Sequence, residues 1–331
     1  MALASNRLRG RTTWPAEVST RTVRGDGVDL CVYQWGAQDR AVPVILLVHG
    51  YPDNARVWNR LAPLLARNYR VVAYDVRGAG RSDHPRAVAA YRLEHLIADM
   101  TAVIDSINPD GAVHLVAHDW GSLQGWEAVT TKPLSQRVAS YTTISGPGLD
   151  HVGHWFAARW QGAGGAGRMQ AARQLAHSWY VFAFHVPVLF PLAWHCGLAR
   201  LWPVMLKRAE RLDVSPDPTQ AGDGATGVKL YRANVLERLR HPRQRHADMP
   251  VQLVVARYDR FVTTELLEDV GQWASQLWRR DIDTGHWVQL SDPGQLAEWV
   301  KEFVDFVEGG SQSAGLKRAR VPSSRGRGER R

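Results

Sequence analysis

The feature that most constrains this chain is a series of short apolar runs separated by segments of helical length. Five such runs, rich in Val and Ile, cover residues 42–48, 69–74, 113–117, 138–144 and 251–256. Runs of this kind are typical of parallel strands that are buried on both faces. Amphipathic segments between them, such as 93–107 and 121–132, indicate helices that cross from strand to strand. The pattern predicts an α/β fold with a doubly wound, mostly parallel sheet.

The composition is that of an ordinary globular protein. The 331 residues are 45% hydrophobic and 22% charged, which excludes wholesale disorder, a collagen-like chain and a coiled coil. Two cysteines are too few for a disulfide framework, and no Cys/His cluster has the spacing of a zinc site, so we expect no metal. The first residues lack the apolar segment of a secretory signal, and we therefore expect a cytoplasmic protein.

Most of the net charge of +9 lies near the C-terminus. Residues 309–331 carry seven Lys and Arg side chains against one acidic residue, Glu329. A Gly-, Ser- and Arg-rich segment without hydrophobic periodicity is typical of disorder. We therefore predict a disordered basic tail over 309–331. Because such runs are usually just solvated, we expect no nucleic-acid partner.

The alternation of strands and helices stops between residues 151 and 246. This stretch contains five tryptophans, a Gly-rich segment and many helix formers, but no convincing strand. We predict a helical lid inserted over the carboxyl ends of the strands. The lid divides the α/β core into a first part, 1–150, and a second part, 247–308, and closes a pocket between lid and core.

One part of the predicted lid is unusually apolar. Residues 179–199 contain no Asp, Glu, Lys or Arg and are long enough to suggest a membrane span. However, Pro187 and Pro191 would break a helix there. The inner face of a lid explains the same apolarity, and peripheral contact of the lid with a membrane stays open as an alternative.

A nucleophile is suggested by the segment Ala117-His118-Asp119-Trp120-Gly121, which joins a predicted strand to a predicted helix. Small residues two positions before and after Asp119 permit a sharp turn that exposes the central side chain beside a helix N-terminus. A helix N-cap is the common alternative role for such an aspartate. The predicted acid and base partners favour the catalytic role.

Two backbone N–H groups near Asp119 are candidates for an oxyanion hole. His49-Gly50-Tyr51-Pro52 follows an earlier strand and can place the Tyr51 N–H beside the Asp119 turn. Together with the Trp120 N–H it would supply two donors. The alternative is an ordinary turn at a strand end, because Gly and Pro are common in turns.

An acid and a base follow the lid. Asp259 comes directly after the strand that resumes the α/β pattern, and His286 lies in a Gly-His-Trp segment before the last helix. The resulting order of nucleophile, acid and base is that of α/β-hydrolases, and differs from that of chymotrypsin and subtilisin.

These segments make the chain resemble the epoxide hydrolases of the α/β-hydrolase fold over residues 22–308. The resemblance lies in HGYPDN from His49, YDVRGAGRSD from Tyr74, AHDWGS from Ala117, LYRANV from Leu230 and TGHW from Thr284. More narrowly, the chain resembles the hydrolase part of actinobacterial proteins in which that domain precedes a short-chain dehydrogenase, here without the dehydrogenase. Ala117 stands where many relatives have Gly.

The resemblance also implies roles for two tyrosines. Tyr180 and Tyr231 are the only tyrosines of the predicted lid, and both match the family's paired acid tyrosines. The implied reaction opens a small apolar epoxide by attack of Asp119, which forms a covalent alkyl ester. Water activated by His286, which Asp259 orients, then releases a vicinal diol. This chemistry needs no metal and no organic cofactor.

Two other functions share parts of this pattern. A haloalkane dehalogenase has the same Asp nucleophile, His base and Trp120 but uses halide-binding donors instead of two tyrosines. A non-enzymatic ligand-binding protein on the same fold predicts loss of at least one catalytic residue. The complete set of candidates, with both tyrosines, favours epoxide hydrolysis.

Overall fold

The computed structural model describes residues 18–36, 42–162 and 164–322. In these ranges nine strands form one sheet in the order β1-β2-β4-β3-β5-β6-β7-β8-β9. The strands are β1 (Ser19–Arg24), β2 (Asp29–Trp35), β3 (Val44–Val48), β4 (Arg70–Tyr74), β5 (Val113–His118), β6 (Val138–Ile144), β7 (Ala247–Ala256), β8 (Ala274–Ile282) and β9 (Arg320–Val321). Neighbours from β4 to β8 run parallel, whereas β1, β2 and β9 pair antiparallel at the edges. The predicted mostly parallel α/β sheet is confirmed.

Helices cover both faces of this sheet and its carboxyl end. They are α1 (Ala62–Leu65), α2 (Leu93–Ile107), α3 (Trp120–Val129), α4 (Leu149–Gln161), α5 (Gly164–His177), α6 (Trp179–Ala183), α7 (Leu189–Ala193), α8 (Ala199–Ala209), α9 (Gln220–Arg240), α10 (Val288–Ser291), α11 (Pro293–Val307) and α12 (Ala314–Ala319). Alternate residues of β3 point to opposite faces: Leu46 belongs to the cluster that contains α2 and α3, and Ile45 to the one that contains α1 and α11. Burial on both faces explains why the central strands read as continuous apolar runs.

The strands that the sequence pattern did not indicate lie at the edges or contain many polar residues. In β1, Ser-Thr-Arg-Thr-Val-Arg, only Val23 is buried. In β8, Ala-Ser-Gln-Leu-Trp-Arg-Arg-Asp-Ile, charged and polar residues are partly buried. Such strands lack a hydrophobic run because one face or one edge meets solvent.

The predicted disordered tail over 309–331 is wrong for its first half. Residues 314–319 form α12, and Arg320–Val321 form β9, which extends the sheet beside β8. Leu316 is fully buried against Trp278 and Phe303. One leucine at the right place therefore anchors a segment whose composition is otherwise typical of disorder. Residues 323–331 lie outside the described ranges.

The segment between β6 and β7 is helical and lies over the site end of the sheet. In its described residues it contains α4 to α9 and no strand. The apolar stretch 179–199 is divided among α6, α7 and a π-helical turn at Trp194–Leu198. Of the helices that the structure describes, none is both long and apolar enough to traverse a bilayer.

Candidate active site

Asp119 occupies a sharp turn between β5 and α3. Its φ of 51° and ψ of −123° lie outside the regions that non-glycine residues favour. The turn fits because its neighbours are small: a Cβ on Gly121 would lie 2.2 Å from the Val48 carbonyl oxygen. A Cβ on Gly146, on the loop after β6, would lie 2.4 Å from the Asp119 carbonyl oxygen. The backbone therefore projects the Asp119 carboxylate beyond the carboxyl end of the sheet.

The loop after β3 brings its backbone up to this carboxylate. The Tyr51 N–H donates a hydrogen bond of 2.7 Å to Asp119 Oδ1. A Cβ on Gly50 would lie 2.3 Å from the same oxygen and 2.7 Å from the Trp120 nitrogen, so glycine is required for this approach. Trp120 begins α3, where an N–H has no acceptor within its own helix. The structure thus places both predicted oxyanion-hole groups at Asp119.

His286 lies between the two predicted carboxylates. Its Nδ1 is 2.9 Å from Asp259 Oδ2, and its Nε2 is 3.6 Å from Asp119 Oδ2. The other oxygen of Asp259 accepts hydrogen bonds from the N–H groups of Phe261 and Val262. These bonds fix Asp259, which in turn orients the imidazole toward Asp119.

The electrostatics of this triad favour a protonated imidazole in the resting state. Burial opposes the charge on His286, but the negative charges of Asp259 and Asp119 outweigh burial and raise its pKa to about 10. The pKa of Asp259 is lowered because His286 and the two N–H donors outweigh the effect of burial. Part of the basicity of His286 therefore depends on the charge of Asp119.

The structure brings both predicted tyrosines to the same cavity as Asp119. Tyr180 lies on α6 and Tyr231 on α9, and their ring centroids are 6.0 Å apart with nearly perpendicular planes. Burial raises the pKa of both phenols, and the charge of Asp119 raises each further. Both hydroxyls are therefore protonated at neutral pH and can act as donors.

Close packing around Tyr51 joins the lid to the core. The Tyr51 hydroxyl donates to the Gly224 carbonyl oxygen of α9 and accepts from the Trp194 indole N–H. A Cβ on Gly224 would lie 2.2 Å from the Trp194 ring, and one on Gly227 would lie 2.5 Å from the Tyr51 ring. Two glycines on one face of α9 thus let the aromatic rings approach the helix that carries Tyr231.

An apolar cavity of about 700 Å³ lies between lid and core. Its lining contains Asp119, His286, Tyr180 and Tyr231, and otherwise consists mainly of aromatic and aliphatic side chains. This combination of an apolar volume with a few converging polar groups is typical of a small-molecule site. The structure describes no group of three or more His, Cys, Asp or Glu side chains that could hold a metal ion.

Two residues that support the His286 loop, Glu210 and Gln289, are not predicted from the sequence. The carboxylate of Glu210, just after α8 of the lid, accepts the backbone N–H of His286 at 3.0 Å. A Cβ on Gly285 would lie 1.7 Å from that carboxylate, which explains the glycine before the histidine. Gln289 donates to Nδ1 of His118, whose Nε2 donates to the His286 carbonyl oxygen. Burial lowers the pKa of His118 to about 3, so this ring is neutral.

One feature of the sequence singles out Glu210. No Asp or Glu lies between Asp150 and Glu210, so Glu210 is the first carboxylate after a long segment without acidic residues. His118 serves the turn around the site, as its position beside Asp119 suggests, because its ring nitrogens bind the His286 carbonyl oxygen and the Gln289 side chain of α10.

Comparison with known proteins agrees with this geometry. Residues 43–293 match the model of the alpha/beta hydrolase fold family, and the chain belongs to that family. The chain is 37% identical over 317 residues to a protein of Mycobacterium tuberculosis named probable oxidoreductase EphD. That match covers 91% of this chain and 52% of the relative, so the chain spans about half the length of that relative.

Other similar proteins are named epoxide hydrolases. Epoxide hydrolase A of Mycobacterium tuberculosis is 39% identical over 132 residues, which cover 39% of each protein. An epoxide hydrolase of Bacillus megaterium, solved in complex with an inhibitor, superposes with a TM-score of 0.71 at 20% identity and covers 86% of this chain and 100% of its own. The resemblance to epoxide hydrolases that the motifs indicate is confirmed, and the structural match confirms the fold.

Proposed function

We propose that this protein hydrolyses an apolar epoxide to a vicinal diol through a covalent ester on Asp119. The observation that carries the proposal is that one apolar cavity is lined by Asp119, by two protonated tyrosines and by His286, which is hydrogen-bonded to Asp259. The names of the relatives support the same reaction. A carboxylate nucleophile suits an sp³ carbon, and tyrosine donors suit the strongly basic oxygen that leaves it.

In the first step, a carboxylate oxygen of Asp119 attacks one carbon of the epoxide. The new C–O ester bond forms as the ring C–O bond breaks, and the released alkoxide takes a proton from Tyr180 or Tyr231. Ester formation removes the negative charge of Asp119, which lowers the pKa of His286 because that charge helped to raise it. The imidazolium can then return a proton to the tyrosinate and become the neutral base that the second step needs.

In the second step, His286 takes a proton from water, and the hydroxide attacks the carbonyl carbon of the Asp119 ester. The N–H groups of Tyr51 and Trp120 stabilise the tetrahedral oxyanion. The intermediate collapses with cleavage of the bond between the acyl carbon and the diol oxygen. The proton of the attacking hydroxyl passes to that oxygen, so Asp119 returns as carboxylate and His286 as imidazolium.

The two half-reactions can be separated by substitution. We expect His286→Gln to open the ring but not to hydrolyse the ester, so that the intact mass increases by the mass of one epoxide. Asp119→Asn should form no adduct and should lose at least about 10⁴-fold in turnover, because the nucleophile is gone. Asp110→Asn, an exposed aspartate in a turn, is the matched control. An adduct that forms at the wild-type rate in the Asp119→Asn variant contradicts the proposal.

The reaction class is tested by a substrate panel with two readouts. Diol formation from apolar epoxides is expected, whereas halide release from haloalkanes of similar size is not, because the cavity offers paired phenols for an oxygen leaving group. Halide release with no diol would instead indicate a dehalogenase. Ligand binding without turnover of either class would indicate a non-enzymatic protein on this fold.

A further inference from the structure

The lid carries a charge distribution that differs from the rest of the molecule. Residues 151–209 contain no Asp or Glu but include six Lys and Arg residues. Arg159 and Arg173 pair with carboxylates of the second part of the core, and Lys207 pairs with the exposed Asp213. Arg168, Arg200 and Arg208 are exposed and form no ion pair with any described residue. The exposed surface of residues 151–209 is therefore positively charged.

The same lid exposes large apolar side chains. Among the described residues, every exposed large hydrophobic side chain except Val88 and Tyr258 lies in the lid. We define the lid patch by six of them: Trp179, Phe182, Leu189, Leu192, Leu201 and Met205. Trp179 is 63% exposed, and Leu189 and Leu192 are 54% and 56% exposed. Scattered apolar residues are normal on a surface, but their concentration in one region, here α6 to α8, is typical of a binding surface.

The apolar stretch 179–199 thus has two faces. Tyr180, Phe184, Phe190 and Trp194 line the cavity, as expected for the inner face of a lid. Phe182, Leu189 and Leu192 do not line the cavity and are exposed to solvent. The role of an inner face explains only the first set, and the second set requires another explanation.

The lid patch adjoins the entrance of the cavity. Trp179 on α6 and Met205 on α8 both line the cavity and are both exposed, so they lie where the cavity meets the surface. Arg260, which is also exposed, adds a positive charge to the same lining. Exposed apolar side chains and one cation therefore lie where the cavity opens to the surface.

We propose that the lid patch and the basic side chains around it bind the surface of an anionic phospholipid membrane. Aromatic and aliphatic side chains of this kind enter the region between head groups and acyl chains, while Arg and Lys attract anionic head groups. Residues 151–209, which contain the lid patch, have no carboxylate that would be repelled by such a membrane. Resting on the proposed function, we further infer that the epoxide is an apolar molecule dissolved in the bilayer, which passes directly into the cavity.

Binding is tested by sedimentation of the full chain with vesicles. We compare vesicles of phosphatidylcholine alone with vesicles that also contain phosphatidylglycerol, at low and at physiological salt. We expect binding to increase with phosphatidylglycerol and to decrease with salt, since screening weakens surface charges. No binding to either vesicle, or equal binding to both at every salt concentration, would overturn the proposal.

Variants separate the apolar and the charged contributions. The double variant Leu189→Ser/Leu192→Ser should weaken binding about tenfold, because two apolar contacts with the acyl region are lost. Arg200→Gln/Arg208→Gln should reduce the dependence on phosphatidylglycerol. Val88→Ser, an exposed apolar position outside the lid, should bind like wild type. An unchanged melting temperature checks that each variant is folded.

Two further measurements distinguish other outcomes. If the wild type is a dimer in solution and Leu189→Ser/Leu192→Ser makes it a monomer without changing vesicle binding, the lid patch is a contact between two copies, and the proposal is wrong. With active protein, the serine variant should lose turnover of a long-chain epoxide embedded in anionic vesicles but keep turnover of a water-soluble epoxide. Vesicle binding without turnover of any epoxide would refute the proposed function but would still support membrane binding by the lid patch.

Discussion

The core and the lid hold their functional side chains in different ways. Asp119, Asp259 and His286 lie on loops that directly follow strands, where backbone geometry and hydrogen bonds to main-chain N–H groups fix them. Tyr180 and Tyr231 lie on lid helices and are held by edge-to-face packing of aromatic rings. In the proposed reaction, the core makes and breaks the ester, and the lid supplies the proton for the leaving oxygen.

This difference suggests how the two regions cooperate. The triad is held mainly by residues of the core, whereas the tyrosines meet Asp119 because the lid packs on the core. Glu210 is an exception, because this lid residue binds the backbone N–H of His286. Perturbations of the lid tyrosines should therefore affect ring opening, and loss of the Glu210 contact should affect ester hydrolysis.

The largest effect is expected from the lid tyrosines. Tyr180→Phe or Tyr231→Phe should slow alkylation of Asp119 by about 10²- to 10⁴-fold, the usual contribution of a general acid. The double variant should nearly abolish alkylation, which rapid-quench kinetics with intact-mass detection can measure. Binding of an unreactive urea or amide should also weaken, because the same hydroxyls would donate to its carbonyl oxygen.

Tyr258→Phe is the matched control, because Tyr258 is exposed and lies outside the lid. Its alkylation rate should equal that of the wild type. A double phenylalanine variant that alkylates at the wild-type rate would show that the lid does not supply the acid.

A smaller effect is expected where the C-terminal segment joins the core. Leu316→Ala should lower the free energy of unfolding by about 2–5 kcal/mol, because a fully buried leucine leaves a cavity against Trp278 and Phe303. Turnover at low temperature should be unchanged, since the segment lies beside β8 at the sheet edge. Leu201→Ala, at an exposed leucine of the lid, should change stability little. Equal unfolding midpoints in urea for the two variants would mean that α12 is not part of the core.

The smallest effect is expected from the hydrogen bond between Glu210 of the lid and the backbone N–H of His286. Glu210→Gln keeps an acceptor but removes the charge that strengthens the hydrogen bond to His286, and should slow ester hydrolysis on the order of tenfold. Alkylation should stay within about twofold, because that step does not use His286 as a base. Single-turnover kinetics separate the two rates, with Glu298→Gln on α11 as the control. If alkylation slows as much as hydrolysis, Glu210 has a general structural role instead.

The sequence predicts the core part of this site better than its surroundings, for physical reasons. Asp119 and the glycines near it are recognisable because a sharp turn after a buried strand admits few residue types. Tyr180 and Tyr231 could be selected through the family resemblance, since an aromatic residue in an apolar lid is usually packing. The sequence does not indicate the role of Glu210, because its contact with His286 joins residues that are distant along the chain. The order of the C-terminal segment cannot be predicted from its composition, because one buried leucine, Leu316, hardly changes the average composition of the segment.

In the proposed reaction, water attacks the Asp119 ester and not the epoxide. A single turnover of wild-type protein in water labelled with heavy oxygen, followed by mass analysis of the diol and of the peptide that contains Asp119, tests this directly. If the ester forms on Asp119, the first diol contains no heavy oxygen and Asp119 gains one heavy oxygen atom. A labelled first diol with an unlabelled Asp119 would contradict it, because water would then have opened the ring itself with Asp119 acting as a base.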